Sequence, residues 1–489
     1  MKHPHLLLSL LCITLPLNAQ EPAEEPAAPQ SNAAQPEQQA ATESPFDMLI
    51  HTAVGLDGTE RDAKKIFEWA LKAAEQGHAE AAYQVGVCYE QGEGVEKDPA
   101  KSLEWFEKAA ELGNITANRK IYSMYLNGNG VEKNEQKAFS YAKRAAEAGD
   151  VASQADLGFH YLLGVGVDKD TQKGLEWTYR SAIQGHALAM NNLAEAFYGG
   201  VGVPKDEAEG LKWRRKAAEH GHPTSQLLLA NQYFNGTGVE KDMNEWLRWT
   251  HAAAASGQPQ AQHNLGSFYL GETPEQGNPG LAAHFYSQAA AQGKIESLYM
   301  LGCMYKEGRG LPQDLQKAEQ CLRLAADKGL EDAQVQLGSM LVHGEARPKE
   351  AGEAERLLLT PADQGNTLAQ YLLGYAYLEG KADMQQDVEK GLQWTQRAAK
   401  QGNTLAQTNL AICYMKGVGV LRNMAEAKVW LLKAAESGDI NAQYILGSAY
   451  HAGTLGTRDE MEAIIWLKKA AAAGHKRAQE MVDVIIGEN

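Results

Sequence analysis

Twelve glycines, spaced almost evenly, limit what this chain can fold into. Gly77, Gly113, Gly149, Gly185, Gly221, Gly257, Gly293, Gly329, Gly365, Gly402, Gly438 and Gly474 follow one another at intervals of 36 residues, with one interval of 37. A period of this length marks a linear array of small units, each unable to bury its apolar face alone and each sheltered by its neighbours. It displaces the first expectation for 489 residues, which is three or four separate globular domains.

Each unit reads as two helices. Counting forward from its glycine, offset 4 is Ala or Ser in every unit, offset 9 is Gly or Ala in ten of twelve, and offset 12 is mostly Tyr, from Tyr89 and Tyr125 to Tyr450. Offsets 4, 8 and 12 share one face of a first helix. A second helix carries Trp eight residues before the glycine, at Trp69, Trp105, Trp177, Trp213, Trp249, Trp394, Trp430 and Trp466. Small residues three positions earlier, such as Ala138, Gly174, Gly210 and Ala427, place a small, large, small pattern on a face expected to be buried in close helix packing. Turns such as Gly92-Glu93-Gly94-Val95 need positive φ. Asn114, Asp150, Asn366, Asn403 and Asp439 are expected to cap the first helices.

The string Ala-x-x-x-Leu-Gly-x-x-Tyr, then Gly-x-Gly-Val-x-Lys-Asp, Ala-x-x-Trp and Lys-Ala-Ala-Glu-x-Gly resembles the Sel1-like repeat, a relative of the tetratricopeptide repeat; residues 150–185 and 403–438 show it well. The resemblance implies an all-α solenoid of about twelve antiparallel helix pairs. It further implies a right-handed superhelix with the first helices on a concave surface, and an adaptor or regulatory role, in bacteria often at the cell envelope. Departures cluster between Gly257 and Gly365. The turn there reads Gly271-Glu272-Thr273-Pro274 in one unit and Gly344-Glu345-Ala346-Arg347 in another, and Cys321 and Leu357 replace the tryptophan. The first unit, 46–77, is degenerate, and residues 475–486 read as a lone closing helix.

Ahead of the array, Lys2 and the apolar run from Leu6 to Leu17 read as a signal peptide over residues 1–19, too short for a spanning helix. Residues 20–45 hold five prolines and five glutamates without Lys or Arg, the composition of a disordered linker. The solenoid is expected over 46–489. Export to the periplasm or the extracellular space follows, with no integral membrane segment. A net charge of -16 and the lack of any basic run exclude nucleic acid as a partner. A protein or peptide, with cell-envelope components as further candidates, remains.

Constant positions hold such an array together, so recognition belongs where units differ but share geometry. Offsets 6, 10 and 13, spaced i, i+4, i+7, form a stripe beside the core face. Its binding candidates are Tyr83, Glu90, Arg119, Phe159, Asn191, Glu195, Tyr198, Asn231, Phe234, His263, Tyr299, Lys306, Tyr371, Tyr375, Tyr444 and His451. Tyrosine-rich surfaces combine apolar area with a hydrogen-bonding tip and suit a peptide ligand. The alternative is that several of these pack against the next unit.

Enzyme signals are weak, and no cofactor or metal is implied. Ser140-Tyr141-Ala142-Lys143 is the only Ser-x-x-Lys, the motif of a penicillin-type hydrolase, but no Ser-Asp-Asn or Lys-Thr-Gly accompanies it. His220 and His222 lack a third metal ligand, and Asp168-Lys169-Asp170 lacks the glycine and glutamate of a calcium loop. A cell-wall glycan binder using exposed tyrosines is a further alternative. After export four cysteines remain. Only Cys303 and Cys321 share a unit, where they are either bridged or free in the core.

Overall fold

The computed structural model describes residues 48, 62–271, 277–348, 350 and 352–487. The expected leader and linker lie outside them, as do residues 46, 47 and 49–61 of the degenerate first unit. Among the described residues there are 24 helices and no strand, most of them 13 residues long and recurring in the pattern read from the glycines.

The caps show why these segments become helices. Asn114 and Asp150 accept hydrogen bonds from the amides of Ala117 (2.8 Å) and Ser153 (2.7 Å), and Asn366, Asn403 and Asp439 cap their helices in the same way. One of the four orphan amides at each helix start thus needs no water. The second helices carry the same device. Asp98, Asn134, Asp170, Asp206, Asp242, Asn278, Asp314, Asp387, Asn423 and Asp459 each accept from the amides that follow. Most first helices end on left-handed glycines, for example Gly164 at φ 77°, whereas Pro259–Tyr269 and Glu331–Val342 end on Leu270 and His343.

The chain divides into two compact units, Met1–Leu112 and Gly113–Asn489. In the first, helices Ala63–Glu75, Ala79–Gln91 and Pro99–Glu111 pack in sequence. Phe106 is fully buried against Gly86, where a Cβ would come within 2.5 Å of its ring. Gly94 in the turn closes onto the carbonyl of Ala63, 2.1 Å from where its Cβ would stand.

In the second, each first helix packs on its own second helix and each second helix on the next first helix, through Lys476–Gly487. Small residues set the approach: a Cβ on Gly158 would stand 2.4 Å from Thr178 Oγ1. Buried glutamines join successive pairs. Gln226, Gln262, Gln370, Gln407 and Gln443 donate to carbonyls near the end of the preceding second helix, at 2.9–3.2 Å. In three of them, Gln226, Gln262 and Gln370, the side-chain oxygen also accepts, from Ser256 (3.2 Å), Gln292 (2.8 Å) and Gln401 (2.9 Å), so one amide ties three helices.

The tryptophans are less buried than their spacing predicts. Trp177, Trp394 and Trp430 are half-buried, and Lys or Arg three residues on lies over the ring in seven of the eight periodic cases, from 4.0 Å for Lys469 on Trp466 to 4.5 Å for Arg180 on Trp177. One helical turn separates the partners, so the cation roofs an indole that the core covers only from below.

The expected irregularity is present at residues 331–366. Helix Glu353–Asp363 starts from Gly352 without a side-chain cap, and Leu337, Met340, Leu358 and Leu372 form an extended core. Arg323 and Glu353, 6% and 4% exposed, form an ion pair there, and Arg323 also binds Glu319 at 2.7 Å. The first helices Glu331–Val342, Thr367–Glu379 and Thr404–Lys416 touch one another directly.

Candidate functional site

The stripe residues lie on the first helices, and many meet a neighbouring unit. Arg119 pairs with Asp150 at 3.4 Å, Asn191 accepts from Ser225 at 2.8 Å, His263 Nδ1 meets Ser297 at 2.9 Å, and Tyr444 stacks on His475 at 4.2 Å. Lys306 pairs with Glu345 at 3.1 Å. Offset 6 therefore doubles as a joint between consecutive first helices. Burial, and then the nearby Lys294, holds the His263 imidazole below its ordinary pKa.

Other stripe residues contact side chains near them. Tyr371 and Tyr375 lie nearly parallel, 6.3 Å apart, and His343 continues the stack. Tyr299 sits beside Cys303, and burial raises its phenol well above the ordinary range. Phe159, 43% exposed, lies edge-on to the buried His160. His451 is half-buried with Nδ1 unpaired. Tyr83 and Glu90 belong to the first compact unit, where Tyr83 packs on Phe106 at 5.3 Å.

Three stripe residues, Tyr198, Asn231 and Phe234, converge on two adjoining hollows. The first, about 310 Å³, is walled by Tyr198, Glu207, Arg214, Leu228, Asn231, Gln232 and the turn at Thr237 and Gly238. Arg214 donates to Glu195 at 2.7 Å and lies over the Tyr198 ring, 4.1 Å from its centre. Gln232 donates to the Tyr198 hydroxyl at 3.0 Å, leaving its own buried side-chain oxygen without a partner. The second, about 360 Å³, shares Asn231 and adds Phe234, Met243, Trp246, Asn264, Ser267 and Phe268. The two occupy equivalent places one unit apart, polar in one case and aromatic in the other.

Spacing alone did not single out Arg214, which stands on a second helix, or Trp246. Trp246 carried a signal, since it is the ninth tryptophan and the one that breaks the period. Also missed was a larger hollow, about 680 Å³, between second helices Thr171–Ile183 and Glu207–Glu219. Tyr179 and Ile183 are exposed in its wall beside Trp213, and Lys173, Glu176, Glu209 and Lys212 surround them.

The catalytic and metal motifs do not assemble. Ser140 donates to the Lys137 carbonyl at 2.8 Å, while Lys143 lies 3.8 Å from Glu147. His220 binds the Lys216 carbonyl, His222 caps helix Pro223–Asn235, and Asp170 caps helix Thr171–Ile183. Among the described residues no three His, Cys, Asp or Glu side chains are grouped to hold a metal ion. No helix among them is long and apolar enough to cross a membrane.

The bridge considered for Cys303 and Cys321 is not formed, and both thiols are free. They face different neighbours. Cys303 packs on the core around Leu322 and Leu337, whereas Cys321 packs on the core around Tyr286 and Met304. Burial raises both thiol pKa values.

Comparison with known proteins adds the family. No curated protein matches the chain. It is similar to the crystal structure of c5321, a protective antigen present in uropathogenic Escherichia coli strains displaying an SLR fold. The two are 28% identical over 91% of this chain and 87% of that one, with a TM-score of 0.51. A Sel1 repeat protein from Oxalobacter formigenes is 27% identical over 74% of this chain and 93% of its own, with a TM-score of 0.34. The Sel1 repeat model matches residues 53–78, 79–114, 123–150, 151–186, 187–222, 223–258, 259–294, 295–330, 331–366, 367–403, 404–439 and 440–475. With twelve matches in the period set by the glycines, the chain belongs to the Sel1 repeat family, and its fold is a protein-interaction solenoid.

Proposed function

We propose that this chain is an exported, non-enzymatic scaffold that binds a protein or peptide along the exposed side of its first helices. The observation that carries the reading is the pair of hollows meeting at Asn231. They have equivalent positions and different chemistry, as expected where a repeat array reads a ligand one unit at a time. The leader-like run from Leu6 to Leu17 supports export, and the dispersed Ser140, Lys143, His220 and His222 support a role without catalysis.

A photo-crosslinking residue at Phe234 or at Tyr179, in the full chain in its host, tests the binding face. Crosslinks from position 234 and none from 179 are expected; the reverse result overturns the reading. N-terminal sequencing of the product recovered outside the cytoplasm tests export: a start near residue 20 is expected, and an intact leader on a cytoplasmic product overturns it. The stacked rings of His343, Tyr375 and Tyr371 favour a second reading, a cell-wall glycan binder. Retention on purified cell wall that is lost in Tyr375→Ala would support that reading over a protein scaffold.

A further inference from the structure

Ten of the twelve units place Gly, Ala or Ser eleven residues before the marker glycine, and the unit ending at Gly257 places Trp246 there. The small residue has a function. In the preceding unit the Tyr198 ring lies over Gly210, where a Cβ would be 3.0 Å away, and Leu162 and Leu378 lie likewise over Gly174 and Gly391. The offset 13 side chain thus folds down into room left by the small residue.

Trp246, 6% exposed, fills that room. Phe234, at offset 13 of the same unit, cannot fold down and stands 52% exposed, with Met243 beside it at 50%. The indole is held between two rings, 5.7 Å from Phe234 and 5.3 Å from Phe268. One substitution has turned a self-covered position into an open aromatic trough.

The rim indicates what covers it. Asn231 stands between the trough and the polar hollow and makes no side-chain hydrogen bond among the described residues. Beyond it, Gln232, 9% exposed, lacks a donor for its side-chain oxygen, and the Arg214 guanidinium, 8% exposed, keeps Nε unpaired. An extended polypeptide offers what this row lacks: a bulky side chain for the rings, and alternating N–H and C=O groups for the carboxamides beside them. A lipid tail would meet the trough but supply no donor.

We propose that the Trp246 trough is the primary anchor for an extended peptide segment of the partner. A bulky apolar side chain sits against Phe234, Trp246 and Phe268, and the peptide backbone crosses Asn231 toward Arg214. This rests on the reading that the first-helix face binds protein.

The test pans a random dodecapeptide library on the full chain and measures the enriched peptides against variants. Trp246→Ala restores the residue type other units carry, and Phe234→Ala changes an exposed side chain, so retained helical circular dichroism is expected of both. Enriched peptides sharing one bulky apolar residue, with affinity reduced roughly 10-fold or more by either variant, support the anchor. Binding that survives both variants but is lost in Tyr371→Ala overturns the anchor and leaves the first-helix reading standing. Loss confined to Tyr179→Ala overturns both. A library without binders, or self-association of the chain that Phe234→Ala abolishes, overturns the peptide as occupant.

Discussion

The unit spanning residues 151–186 and the unit spanning 331–366 join their neighbours by opposite means. In the first, Gly166 of the turn closes on the preceding second helix so tightly that its Cβ would stand 2.1 Å from the Glu135 carbonyl oxygen. In the second, Ala346 stands at the place of Gly166, and Arg323 and Glu353 tie consecutive second helices through a buried ion pair instead. Backbone contact needs only the absence of a side chain. The ion pair needs two charges removed from water together, so its partners depend on each other far more strongly.

The largest effect should come from breaking that pair. Glu353→Ala leaves the buried Arg323 with Glu319 as its only carboxylate partner and should cost about 3 kcal/mol, whereas replacing both residues with leucine should cost much less; urea unfolding of the two variants would show the gap. Gly166→Ala comes next. The methyl group meets the Glu135 carbonyl and the residue sits at φ 69°, so a loss of about 2–3 kcal/mol is expected. Gly344→Ala, with strain but no clash, should lose about 1 kcal/mol. Equal losses at the two glycines would remove the Glu135 contact from the account.

A smaller effect is expected at a regular helix start. Asn403→Ala removes the acceptor for the Ala406 amide, 2.8 Å away, and should lower stability by about 1 kcal/mol in the same assay. The smallest depends on pH. His222 caps helix Pro223–Asn235 by accepting from Ser225 at 3.2 Å, and burial, then His186, holds its pKa below the ordinary 6.5. A depressed imidazole value means the unfolded chain takes up the proton first. The cap therefore contributes fully above 6.5 and is lost as pH falls from there through the lowered value. Melting temperature should fall slightly less on acidification in His222→Asn, which keeps a cap without the titration; identical acid sensitivity would remove His222 from the account.

Much of the fold was legible because one short motif recurs. Asn114, Asp150 and Asn403 announced first-helix caps by standing just past a marker glycine, and they do cap them. The second-helix caps are equally regular, yet the Lys-Asp of the turn stands inside a motif whose sequence alone does not mark where the following helix starts. The stripe was legible as geometry but not as availability. Asn191 and His263 meet Ser225 and Ser297, each 34 residues away, and no spacing within a unit shows that a side chain has been drawn into the next one. Trp246 was visible as an exception. Its effect on Phe234 was not, since that required knowing which small residue each offset 13 side chain covers. The Cys303 and Cys321 thiols shared a unit in sequence and face different cores in space.

The glutamine links also bear on how such a chain can grow. Gln407 carries the donor and Ala399 the acceptor of one link; Gln443 and Ala435 repeat it at 3.0 Å. A tandem copy of residues 403–438 would place its new glutamine against the Ala435 carbonyl, with no other adjustment at that junction. Length is therefore open to gene duplication in whole increments, and copying the increment that contains Trp246 would duplicate its aromatic trough as well.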